Sequence, residues 1–255
     1  MITTGRAGAQ PSPKKMAEQA TIFGVHYSTE SMAEALQAIR HRVESPTGRP
    51  AFCCFINAHC LNIAYKNREY ADLLNQADRV WADGVGVEIA AKHVGNPVKE
   101  NVNGTDMLPL LCEEGHSLYL LGGQPGVADA ARDNLLKQHP DLRIVGTHHG
   151  FFQGHEDEVI ADINAADPDV LLVAFGVPKQ EFWIHDHLDK LNCRVCIGVG
   201  GLLDFASGRI PRAPLWMRKA KLEWVYRLRQ EPIRLFKRYV IGNPLFLWRI
   251  YTHNS

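Results

Sequence analysis

The sequence lacks any run of the ~20 apolar residues that a bilayer-spanning helix needs. It also lacks an N-terminal apolar stretch of secretory type, which argues against export. Net charge is absent as well: 28 Lys and Arg balance 28 Asp and Glu, so no global field draws the chain to nucleic acid or lipid. No GxGxxG follows the first apolar run, which removes the main mark of a dinucleotide-dependent oxidoreductase. Of six cysteines, only Cys193 and Cys196 have CxxC spacing, and no second CxxC accompanies them. Inside an apolar run they read as buried structural thiols rather than a zinc or redox site, in keeping with a reducing cytosol.

What is present is an ordinary globular composition, 45% hydrophobic and 22% charged, over 255 residues. That length suits one large α/β domain or one domain with an appendage. Residues 1–20 are rich in Gly, Ala, Pro and Lys without apolar periodicity and read as a disordered leader. From residue 21 to 207, apolar runs of strand length alternate with helical patterns. Strand candidates are 21–27, 51–56, 79–82, 117–121, 142–147, 169–175 and 195–199, and Ser28 or Thr29 is the expected cap of the first helix. This alternation predicts a Rossmann-like, mostly parallel sheet with helices on both faces. Ligands of such sheets bind beyond the carboxyl ends of the strands, which directs attention to Asn57, Asp83, Gly122, His148, Gly176 and Gly200.

Several residues at those ends can carry chemistry. Asp83, before Gly84, can act as a general base on an acceptor hydroxyl or simply cap the next helix. Gly122 and Gly123 open the turn Gly122-Gly-Gln-Pro-Gly126, whose N–H groups suit a diphosphate, although a plain tight turn uses the same residues. Lys179 sits at a helix N-terminus, where the dipole disfavours a cation, so an anionic ligand is a reason for it; Gln180 offers a donor and an acceptor. Gly200 and Gly201 allow close backbone approach, and Asp204 can accept from ribose hydroxyls or a uracil N–H, or cap a helix. His148, His149, His185 and His187 read as solvated or locally bonded rather than metal ligands; His185 and His187, two apart, share no helix face.

Charge is concentrated near the end. Residues 209–249 hold eleven basic and two acidic residues, a local charge of +9 that leaves about −9 elsewhere. Seven aromatics interleave with them, from Trp216 to Trp248. Basic and aromatic residues together suit an anionic membrane surface. The alternatives are a basic helix packed on the domain, or RNA, for which no motif is present. Residues 208–255 are thus expected to form a basic, aromatic-rich appendage that associates with a membrane.

Taken together, these segments resemble the WecG/TagA/CpsF family of glycosyltransferases. The stretches that carry the resemblance run in order: Asn57-Ala58-His59, Ala82-Asp-Gly-Val-Gly86, Asn103-Gly-Thr-Asp106, Leu121-Gly-Gly-Gln-Pro-Gly126, Gly176-Val-Pro-Lys-Gln-Glu181, Gly198-Val-Gly-Gly-Leu-Leu-Asp204, Arg212-Ala-Pro214 and Leu222-Glu-Trp-Val-Tyr-Arg227. The resemblance implies an inverting, metal-independent transferase without a cofactor. Its donor would be a UDP-sugar of hexose, N-acetylhexosamine or uronate type. Its acceptor would be a polyprenyl-diphosphate-linked saccharide of bacterial cell-surface polysaccharide synthesis, met at the cytoplasmic face of the membrane. Asp83 then matches the base, Asn57, Gln180 and Asp204 match nucleotide-sugar contacts, and Arg212, Arg227 and Arg234 are the appendage arginines. Two positions depart from the family pattern: Phe55 stands where Thr is common, and Asn101 where Arg often follows Glu100.

A nucleotide-sugar-binding subunit without turnover is the second reading, motivated by Asn101. No nucleic-acid partner is expected, and a homo-oligomer is left open.

Overall fold

The computed structural model describes residues 21–253; the leader expected over residues 1–20 lies outside them. In chain order the elements are β1 (Thr21–Ile22), β2 (Val25–His26), α1 (Met32–Glu44), β3 (Ala51–Ile56), α2 (Ala58–Ala64), α3 (Arg68–Leu74), β4 (Arg79–Ala82), α4 (Val85–His93), α5 (Gly104–Glu113), β5 (Ser117–Gly122), α6 (Val127–Gln138), β6 (Arg143–His148), α7 (Glu156–Ala166), β7 (Val170–Ala174), α8 (Lys179–His187), β8 (Val195–Gly198) and α9 (Leu202–Ala206). Then follow α10 (Leu215–Lys219), α11 (Glu223–Gln230), α12 (Pro232–Phe236), a π-helical turn (Lys237–Ile241) and α13 (Gly242–His253).

Six strands form one sheet in the order β4-β3-β8-β7-β5-β6, every pair parallel. β3, β5, β7 and β8 are buried throughout, because helices cover both faces. One core layer joins the sheet to α2, α3, α4, α7, α8 and α13; the other joins it to α1, α5, α6 and α9. The parallel arrangement brings all six carboxyl ends to one edge, so residues distant in sequence share that edge.

Three local expectations are corrected. Residues 21–27 are not one strand: Phe23 and Gly24 both take positive φ and fold the run into the β1–β2 hairpin. Ser31, not Ser28 or Thr29, caps α1, because Glu34 closes a capping box with it. The segment from Leu61 to Leu73, whose apolar spacing reads as one continuous helix, breaks before Asn67, whose side chain caps α3.

The appendage is not a detached tail. Phe246 and Ile250 on α13 are 0% exposed within the first core layer. Arg249 donates to Asn62 Oδ1 at 2.6 Å and lies 4.3 Å from the centre of the Tyr65 ring.

Gly122 shows how closely the loops are set. Its φ is +136°, and a Cβ there would lie 2.5 Å from the Ala174 carbonyl oxygen. Backbone cannot retreat as a flexible side chain can. Gly122→Ala is therefore expected to cost about 2–4 kcal/mol, read as a lower urea midpoint.

Candidate active site

At the β4 end, the Asp83 N–H donates to the Ile56 carbonyl at 2.8 Å, and the Gly84 N–H donates to Asn101 Oδ1 at 2.7 Å. Asn101 therefore braces the backbone that presents Asp83. Next to it, Asn57 caps α2, its Oδ1 accepting from the His59 and Cys60 N–H groups at 3.1 and 3.2 Å.

Asp83 is half-buried. Burial pushes its carboxyl up to about 6, against the pull of Arg238, an Asn57 hydrogen bond and Arg227. It is therefore ionised at neutral pH yet basic enough to accept a proton, the property a general base needs. Burial, with the Arg238 charge, also pushes His59 down to about 4, so that ring is neutral at pH 7. Arg238 and His59 are the residues that sequence reasoning missed. Arg238 was visible only as one basic residue among eleven, because its position depends on α13 docking against α2 and α4.

Further along the same edge lies a cavity of about 640 Å³. Its walls include Gly123, Lys179, Asp204 and Arg234 from the expected set, together with Phe151, Phe175 and Arg209. Lys179 Nζ lies 5.4 Å from the centre of the Phe175 ring, Asp204 pairs with Arg209 at 3.4 Å, and Arg234 pairs with Glu231 at 2.5 Å. Asp83 and Gln180 are not part of the cavity wall. Arg227 connects the two regions: its guanidinium lies 5.0 Å from the centre of the Phe205 ring and close to Gly201, while its charge acts on Asp83.

The remaining expected residues are placed as braces. The Gln180 side chain is turned inward and 2% exposed, with its acceptor engaged by the Gly176 and Gly200 N–H groups at 3.2 and 2.8 Å. Its oxygen and one amide hydrogen are thus engaged within the protein. Gly122 admits the Ala174 carbonyl, and Gly201 lies beside the Arg227 guanidinium. Arg212 pairs with Asp106 and donates to the Thr105 carbonyl and hydroxyl at 3.2 Å each, tying the appendage to α5.

Part of the basic charge is thus used within the protein, as Lys221 with Glu88 also shows. The apolar residues are used only in part: Phe246 and Ile250 enter the core and Trp224 packs on Tyr239, while others remain exposed. Apart from Tyr65, Leu110 and Phe151, every exposed large hydrophobic among the described residues lies between positions 215 and 251, with Ile233 96% and Trp216 65% exposed. Among the described residues no helix is long and apolar enough to cross a membrane. Cys193 and Cys196 are buried with sulfurs 3.2 Å apart, and no group of three or more His, Cys, Asp or Glu among the described residues is placed to hold a metal ion.

Comparison with known proteins follows the same outline. The family model described as "Glycosyl transferase WecG/TagA/CpsF family" matches residues 20–254. Similar proteins include the N-acetylglucosaminyldiphosphoundecaprenol N-acetyl-beta-D-mannosaminyltransferases of Staphylococcus aureus strains MRSA252 and NCTC 8325 / PS 47. Each is 29% identical over 233 residues, covering 90% of this chain and 91% of the relative.

Proposed function

The chain belongs to the WecG/TagA/CpsF family of glycosyltransferases, and on that premise we propose that it moves a sugar from a UDP-sugar donor to a polyprenyl-diphosphate-linked saccharide by single displacement with inversion. The observation that carries the reading is Asp83: a half-buried carboxyl raised to about 6, at a strand end faced by Arg227 and Arg238. Asp83 takes the acceptor hydroxyl proton as the hydroxyl oxygen attacks the anomeric carbon. The bond to the diphosphate breaks, and UDP leaves with its electron pair.

The cavity on the same carboxyl edge as Asp83 suits the donor. Lys179 and Arg234 supply cations for a diphosphate, Gly123 supplies close-set backbone, and Asp204 supplies an acceptor for hydroxyl or imide N–H groups. Arg227, beside Phe205 and Gly201 and acting by its charge on Asp83, can neutralise charge on the leaving phosphate. With guanidinium and ammonium groups in that role, the proposal includes metal independence. The names of the relatives specify a diphosphoundecaprenol-linked N-acetylglucosamine acceptor and a β-linked product. An α-linked UDP donor reaches a β product by inversion.

The exposed apolar residues between 215 and 251 support a peripheral position on an anionic bilayer, and a lipid-linked acceptor would be met there at the cytoplasmic face. Replacing Trp216, Ile233 and Phe236 together by Ser is expected to cut binding to phosphatidylglycerol vesicles at least tenfold while UDP affinity stays unchanged. Equal vesicle binding by the triple variant contradicts the membrane role.

The function is tested by incubating the protein with a panel of UDP-sugars, N-acetylhexosamines first, and polyprenyl-diphosphate-N-acetylglucosamine in EDTA. A product one sugar larger is expected with at least one donor. UDP binding without transfer to any acceptor of this class favours the non-catalytic subunit instead.

A further inference from the structure

Behind the strand-end loops lies a carboxyl that the mechanism above does not use. Glu181 is 0% exposed and sits one residue after Gln180, itself 2% exposed. Gln180 Nε2 donates to Glu181 Oε1 at 2.7 Å, while Gln180 Oε1 accepts from the Gly176 and Gly200 N–H groups. Gly198 makes room for this, since a Cβ there would lie 2.9 Å from Gln180 Nε2.

A side-chain amide can be turned over without changing shape, so something must select its orientation. Turned over, Gln180 would set its NH2 against two backbone donors and its oxygen against the Glu181 carboxyl. The Tyr70 hydroxyl faces the Glu181 carboxyl, as do the Cys54 and Cys60 thiols, and none of these groups is a cation. Burial accordingly pushes Glu181 up to about 7. A buried carboxyl without a counter-cation is costly, and core packing alone would be served as well by an apolar side chain. What the carboxyl does provide, ionised or neutral, is an acceptor for Gln180.

We propose that Glu181 is a positioning residue for the donor: it holds the Gln180 amide in one orientation, so that Gln180 clamps Gly176 to Gly200 and fixes the loops after β7 and β8. Those loops lead directly into Lys179 and Asp204 on the cavity wall. The clamp therefore sets the separation of a cation and a carboxylate that contact the donor. The role rests on the UDP-sugar reading above.

The test compares Glu181→Gln, which keeps an acceptor oxygen, with Glu181→Met, which has similar volume and no such acceptor. Glu181→Gln is expected to bind UDP within threefold of wild type. Glu181→Met is expected to weaken UDP binding and raise the donor KM about tenfold, with kcat at saturating donor within threefold. A merely structural role would lower the active fraction, and hence kcat, and leave KM unchanged. Unchanged UDP affinity in Glu181→Met, or equal impairment in both variants, overturns the assignment. Should Glu181→Met not fold, the wild-type protein decides: the Gln180 side-chain NH2 must exchange slowly in nitrogen-15 spectra, and fast exchange overturns the clamp. Wild-type protein that binds no UDP sinks the donor reading itself, whereas wild-type binding with an unaffected Glu181→Met sinks only the role of Glu181.

Discussion

Asp83→Asn is expected to lower sugar transfer by about 10²–10⁴-fold while leaving UDP affinity within a factor of two. Asparagine is nearly isosteric, and the backbone contacts to Ile56 and Asn101 do not involve the side chain, so the turn keeps its shape, asparagine retains an oxygen and an NH2 toward Asn57, and the base is lost. The pH profile gives a second check. The Asp83 pKa is raised to about 6, and the ionised form is the active one. Wild-type kcat should therefore fall as pH drops through 6 and level off above 7. The sign of the stability effect is opposite. A carboxyl with a raised folded pKa favours folding below its unfolded value and loses that contribution as pH rises through about 6. Asp83→Asn should thus melt higher than wild type at pH 8, by more than at pH 4. A variant that is inactive and also less stable at pH 8 would mean Asp83 is a structural residue.

Arg227→Ala carries the second large effect, an expected loss of about 10²–10³ in kcat. Its guanidinium is held against the Phe205 ring and beside Gly201, between the donor cavity and the proposed base. Loss of the cation removes stabilisation of the departing diphosphate. It also removes one of the charges that hold Asp83 down, so the acid limb of the pH profile should move to higher pH. Arg227→Lys should recover part of the rate, since it restores charge without the planar fork. An unshifted acid limb in Arg227→Ala would show that Arg227 does not act on Asp83. Point substitutions are the informative tests here. Removing everything after residue 207 would strip Phe246 and Ile250 from the core layer and confound lost function with unfolding.

The alternation of strands and helices was legible because each buried strand is an uninterrupted apolar run that stops at Asn57, Asp83, Gly122 or Gly176. Where an apolar run hides a turn, as at Phe23 and Gly24, composition carries no warning and the hairpin was missed. The α1 cap was recoverable, since Ser31 and Glu34 form the S-x-x-E pattern, but two neighbouring hydroxyls drew attention first. At the site, Asp83 and Asp204 could be placed at strand ends, yet the direction of a side chain within a turn is set by tertiary packing. Hence Gln180, expected to face a ligand, points into the core, and Arg212 turns to Asp106. Asn101, a departure from the family pattern in sequence, proves to hold the Gly84 N–H.

A crystal structure of the protein with UDP tests the central claim most directly. The account predicts the diphosphate against Gly123, Lys179 and Arg234, with the β-phosphate directed toward Arg227 and Asp83. UDP seated away from the carboxyl edge of the sheet, or in the cavity with its β-phosphate turned from Asp83, would contradict it.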